Sequence, residues 1–185
     1  MSVCRLCVFC GAQEPKAEGH LALARATGAL LANNNIELVY GGGSTGMMGA
    51  VADGALDAGG SVVGIKPEVI RHLEQEHLGL THSIHVNSML ERKEKMLEMS
   101  DGFIILPGGF GTLDETFEVL TWCSIQILNK PLVFFDTDGF WDPLLEMIEH
   151  MRTVGYVRES FLAHLSRVDA LDKLLPEFKK KDVAL

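Results

Sequence analysis

Two glycine-rich runs and one pair of opposite charges are where this sequence could do chemistry. The run Pro107-Gly108-Gly109-Phe110-Gly111-Thr112-Leu113-Asp114-Glu115 reads as a turn between a strand and a helix. Its glycines flank an aromatic ring, and Thr112 can offer a hydroxyl together with the free N–H groups of a first helical turn, which suits a phosphate. Glu115 has two readings. Thr112-x-x-Glu115 matches a capping box, in which threonine and glutamate satisfy each other's backbone donors. A carboxylate beside an anion-binding turn is otherwise costly unless it has a task or a cation nearby. The cation on offer is Arg92, in Met89-Leu90-Glu91-Arg92-Lys93-Glu94-Lys95-Met96. Met89, Arg92 and Met96 are spaced three and four apart, so the arginine projects from an apolar stripe. The plain alternative is a snorkelling side chain, its stem on the core and its head in water.

The other run, Gly41-Gly42-Gly43-Ser44-Thr45-Gly46-Met47-Met48-Gly49, also joins a strand to a helix. It is not a dinucleotide fingerprint, because neither Asp57 nor Glu68 ends a second strand, and no Gly-Lys-Ser/Thr follows to make a P-loop. Glycines there let the backbone approach an anion or a ribose hydroxyl. A tight turn capped by Ser44 or Thr45 accounts for the run equally well.

Strand-length apolar runs alternate with helix-period segments along the whole chain, the pattern of a parallel sheet flanked by helices. Strands are expected at Arg5–Cys10, Ile36–Tyr40, Ser61–Ile65, Ile84–Val86, Phe103–Leu106, Pro131–Phe135 and Leu165–Val168. Helices are expected through Leu21–Leu30, over Met47–Ala58 and Ser88–Met99, from Thr112 onward, and over Trp141–Val154 and Leu171–Phe178. Pro67–Ser83 is polar and irregular. Right-handed crossovers wind such a chain into one α/β domain over residues 1–185, Rossmann-like and doubly wound, with a mostly parallel sheet and helices on both faces. Ligands bind such sheets beyond the carboxyl ends of the strands, where both glycine runs lie.

The bulk numbers narrow the partners. With 185 residues, 47% of them hydrophobic and 22% charged, the chain can bury a full core without metals or disulfides. A formal charge of −9 disfavours nucleic acid polymers, while one phosphorylated small molecule needs only a local pocket. No segment approaches the roughly 20 apolar residues of a membrane span, and the N-terminus lacks a signal-peptide pattern, so a cytoplasmic protein with reduced thiols is expected. Cys4, Cys7 and Cys10 are spaced like iron–sulfur ligands, but on a strand Cys4 and Cys10 stand roughly 20 Å apart with Cys7 on the opposite face. No metal is expected there. His72, His77, His82 and His85 also lack metal spacing and are placed on loop or strand surfaces.

Both glycine runs, Glu91-Arg92-Lys93, the opening Val8-Phe9-Cys10-Gly11 and Thr121-Trp122 together resemble the LONELY GUY family of cytokinin riboside 5'-monophosphate phosphoribohydrolases, often mislabelled as lysine decarboxylases. The resemblance covers roughly Val8 to Gly155. It implies a hydrolase that splits a nucleoside 5'-monophosphate, AMP or a cytokinin riboside 5'-monophosphate, into free base and ribose 5-phosphate. It further implies Arg92 and Glu115 as the catalytic pair. Substrate contacts would come from Glu74, Met89, Lys93, Gly108, Gly109, Phe110, Gly111 and Thr112, joined by Gly42, Gly43 and Ser44. A homodimer and the absence of any metal or organic cofactor are implied as well. Ala12 and Gln13 stand where the family often carries serines, and His72–Ser88 departs from its plant-like pattern. The competing class is a noncatalytic carrier of a nucleotide or phosphorylated cofactor on the same scaffold. A pyridoxal-phosphate decarboxylase fits poorly, since the chain has no room for its usual large domain.

Overall fold

The computed structural model describes residues 3–70 and 75–179. Among them the chain runs β1 (Arg5–Phe9), α1 (His20–Asn33), β2 (Glu37–Tyr40), α2 (Gly46–Asp57), β3 (Val62–Pro67), a 3-10 turn (Glu68–Ile70), β4 (His82–Val86), α3 (Met89–Met99), β5 (Gly102–Ile105), α4 (Phe110–Ser124), β6 (Leu132–Phe135), α5 (Asp142–Thr153), α6 (Glu159–Leu162), β7 (Leu165–Val168) and α7 (Leu171–Lys179). The seven strands form one sheet in the order β4-β3-β2-β1-β5-β6-β7, and every pairing between them is parallel. The expected α/β class and double winding hold.

The centre of the sheet follows from composition. Leu6, Cys7, Val8 and Phe9 are all buried, as a strand covered on both faces requires. Successive side chains divide between two cores. Leu6, Val8 and Cys10 join the layer that includes Leu23, Ala24 and Val51 of α1 and α2, while Cys7 and Phe9 join Met96, Leu97 and Val119 of α3 and α4. The strand thus puts Cys7 and Cys10 in different layers. The order of strands reverses at β1: β2, β3 and β4 extend to one side, and β5 returns on the other, with Leu6 beside Gly102 and Phe9 beside Ile105. That reversal opens a crevice at the carboxyl ends of β1 and β5.

Four elements differ most from the sequence reading. The helix expected from Thr112 begins at Phe110, because glycines are tolerated in a first turn whose N–H groups have no intrahelical partner. Strand β3 runs on to Pro67 and β4 starts at His82, so the irregular stretch is shorter than expected. The four-residue α6 carries no periodicity long enough to be seen in sequence. His82 and His85 are exposed on β4, and His77 bonds Asp53 at 3.0 Å; His72 lies outside the described residues.

Candidate active site

The crevice is a cleft of about 980 Å³, walled by the loops after β1, β5 and β6 and by the starts of α1, α2 and α4. Gly11 N–H donates to the Pro107 carbonyl at 3.1 Å, and Met47 N–H donates to the Gly11 carbonyl at 3.0 Å, which fixes the loops that form its floor.

Arg92 enters from α3. Ser88 caps that helix by accepting the Glu91 N–H at 3.1 Å, and the Glu91 carboxylate accepts the Asn87 N–H at 2.7 Å. The S-x-x-E capping arrangement therefore belongs to α3. Only 5% exposed, the arginine sits in a space that a side chain at Gly41 would fill, since a Cβ there would lie 1.9 Å from Arg92 Nη2. Its Nη2 stands 3.9 Å from Glu115 Oε1, too long for a hydrogen bond but close enough for strong attraction between buried charges. Among the described residues Arg92 Nε has no hydrogen-bond partner, and Nη1 meets the Met89 sulfur at 4.0 Å. A buried guanidinium with unspent donors, lining a cleft, is placed to receive oxygen atoms of a ligand.

Glu115 lies in the second turn of α4, and the capping reading of it fails. Gly109 is the N-cap, the first helical bond runs from Leu113 N–H to the Gly109 carbonyl at 3.0 Å, and Thr112 is buried inside the helix. Gly108 makes this possible, because a Cβ there would come 2.1 Å from Thr112 Oγ1. The residues whose N–H groups precede that first bond, Phe110, Gly111 and Thr112, all line the cleft. Nothing in the chain lies within 4 Å of where a Cβ would stand on Gly109 or Gly111, so a ligand can approach their backbone closely.

The structure gathers Arg92, Glu115, Met89, Gly108, Gly109, Phe110, Gly111 and Thr112 around one cleft. It does not bring Lys93 there. Lys93 Nζ bridges α3 to α4 through Asp114 at 3.1 Å and Glu118 at 2.5 Å. Burial alone would lower its pKa, but hydrogen bonds to those carboxylates outweigh burial and raise it. Gly42 and Gly43 are also absent from the lining: a Cβ on Gly42 would meet Lys66, and one on Gly43 would meet Met48. Ser44 faces a separate groove of about 470 Å³ and donates its hydroxyl to the Gln75 carbonyl at 3.1 Å. The first glycine run thus serves close packing, with Gly41 making room for the arginine. Glu74 lies outside the described residues.

Cys10 also lines the cleft, but burial, reinforced by the Glu115 charge, pushes its thiol pKa far up, so it stays protonated and is no nucleophile. No cluster of three or more His, Cys, Asp or Glu suited to a metal ion occurs among the described residues.

Sequence reasoning missed the far wall. His20, the buried first residue of α1, bonds Asp138 through Nε2 at 2.9 Å and meets the Phe140 ring edge-on at 5.7 Å; all three residues line the cleft. A lone histidine in a helix-period segment and an Asp-Gly turn 118 positions later give no joint signal.

A family model described as "Possible lysine decarboxylase" matches residues 48–178. The cytokinin riboside 5'-monophosphate phosphoribohydrolase of Rhodococcoides fascians is 44% identical over 151 residues, 81% of this chain and 76% of that protein. One from Arabidopsis thaliana is 41% identical over 155 residues, 83% of this chain and 71% of its own length. Among solved structures, the molybdenum cofactor binding protein of Rippkaea orientalis superposes with a TM-score of 0.72 at 22% identity, covering 97% of this chain and 98% of that one. An identity so low speaks for the fold alone.

Proposed function

The chain belongs to the LONELY GUY family, and from that membership we propose that its cleft binds a nucleoside 5'-monophosphate, AMP or a cytokinin riboside 5'-monophosphate, and hydrolyses the bond between base and ribose 5-phosphate. One observation carries the reading: a buried arginine with unspent donors faces a carboxylate 3.9 Å away, beside an open helix N-terminus.

Breaking an N-glycosidic bond builds positive charge on the ribose C1' carbon. A carboxylate held beside that carbon stabilises the charge and takes a proton from the attacking water. Glu115 has this role. Arg92 restrains the carboxylate and donates to substrate oxygens. The N–H groups of Phe110, Gly111 and Thr112 hold the 5'-phosphate, which is remote from the broken bond and so serves to place C1'. Lys93 contributes by fastening α3 to α4, which sets the distance between arginine and glutamate. Met47, Met48, Ile70 and Met89 provide apolar wall for the base on the Arg92 side.

A carrier protein would use the same phosphate cradle without consuming its ligand. Incubation with AMP, followed by chromatography, should yield adenine and ribose 5-phosphate in equal amounts; AMP recovered intact would decide for the carrier. The family's homodimer suits the exposed Leu90 on α3, Phe117 on α4 and Ile125 and Ile127 just after it. Light scattering should then give about twice the 20.2 kDa chain mass, and a monomer at micromolar concentration would refute pairing.

A further inference from the structure

The wall formed by His20, Asp138 and Phe140 has no task in the mechanism above, yet it is built as firmly as the rest of the cleft. His20 is 5% exposed, and its Nε2 is taken by Asp138. The loop carrying Asp138 and Phe140 is fixed by the fully buried Asp136, which accepts Gly139 N–H and Trp141 N–H at 3.1 Å each and Arg167 Nη2 at 3.0 Å.

Position decides what this wall can touch. Arg92 packs against Gly41 at the end of β2, the first turn of α4 follows β5, and Asp138 and Phe140 follow β6. The sheet order β2-β1-β5-β6 therefore sets the α4 turn between Arg92 on one side and the histidine on the other. A phosphate on that turn would stand in the cleft that His20 also lines.

We infer that His20, oriented by Asp138, is a second grip on the 5'-phosphate, its imidazolium donating from Nδ1 to a phosphoryl oxygen while Nε2–H stays on the aspartate. The inference rests on the cleft being a nucleoside monophosphate site. A neutral imidazole with Nε2–H on a carboxylate has only a lone pair at Nδ1, so the contact requires the doubly protonated ring. The Asp138 carboxyl is held below the usual range chiefly by its hydrogen bond from His20, as expected of such a pair.

Ribose 5-phosphate tests this, because it carries the phosphate without a base and binds whether or not the protein turns over. His20→Phe keeps the ring volume against Phe140 and removes both nitrogens. By calorimetry it should weaken ribose 5-phosphate at least about tenfold, as loss of a charge-assisted hydrogen bond does, and leave adenosine binding within about twofold. Unchanged ribose 5-phosphate affinity, or equal weakening of both ligands, would overturn the assignment. If that variant does not fold, the unmutated protein answers: ribose 5-phosphate should shift the His20 Nδ1 nitrogen resonance, and an unmoved resonance rejects the contact. A protein that binds ribose 5-phosphate through His20 but leaves AMP intact would disprove the hydrolase and keep this grip. One that cleaves AMP with ribose 5-phosphate binding indifferent to His20 would do the reverse.

Discussion

A guanidinium taken out of water is costly unless opposite charge and hydrogen-bond acceptors surround it. Among the described residues Arg92 has the charge, from Glu115 at 3.9 Å, but no acceptor for its Nε, and the proposed role has substrate oxygens complete its geometry. The carboxylate is the member whose loss should fall on chemistry. Glu115→Gln conserves volume and removes the negative charge that answers the developing cation at C1'. It should lower kcat by roughly a thousandfold while AMP affinity, measured by calorimetry, changes by less than about threefold. Activity within tenfold of wild type would demote Glu115 to a structural partner of Arg92. Both members of the pair were readable from residue type, because an arginine in an apolar stripe and a carboxylate in a glycine-rich turn are each out of place alone. Lys93 was not: it follows Arg92 in sequence, but one helical step turns it toward Asp114 and Glu118.

Elements hold these residues by close approach as much as by hydrogen bonds. The turn after β2 illustrates this, since Gly41 leaves the volume that Arg92 Nη2 occupies. Gly41→Ala should force the guanidinium aside by about 1 Å or more, reducing kcat/KM for AMP by on the order of a hundredfold and stability to urea by about 1–3 kcal/mol. Wild-type turnover in that variant would mean the arginine's seat is unimportant. The sequence shows a glycine run there but not its purpose: glycines that admit a ligand and glycines that admit a side chain from another element look alike. The start of α4 was obscured for a related reason. Pro-Gly-Gly-Phe-Gly has the composition of a loop, yet a helix can open on it because the first turn asks nothing of its N–H groups.

At the level of the whole molecule, the reversal of strand order at β1 brings together loops far apart in sequence: Gly11 meets Pro107, and His20 meets Asp138. The alternating pattern announced a doubly wound sheet, and the unbroken apolar run Leu6–Phe9 marked its buried centre. Which loops meet across the crevice is a property of strand order, which no local pattern encodes, and so the histidine wall stayed invisible. The molecule's charge of −9 also makes general attraction of phosphates unfavourable. On the proposed reading, affinity for a nucleotide comes from the local grip on its phosphate, which is remote from the bond to be broken. Binding energy from the phosphate is spent on placing C1', so substrates without it should suffer in kcat as well as KM. The decisive comparison is kcat/KM for AMP against adenosine on the unmutated protein. AMP should be favoured by at least about a thousandfold; equal cleavage of the two would contradict the assignment of the α4 turn as the site that grips phosphate and drives the reaction.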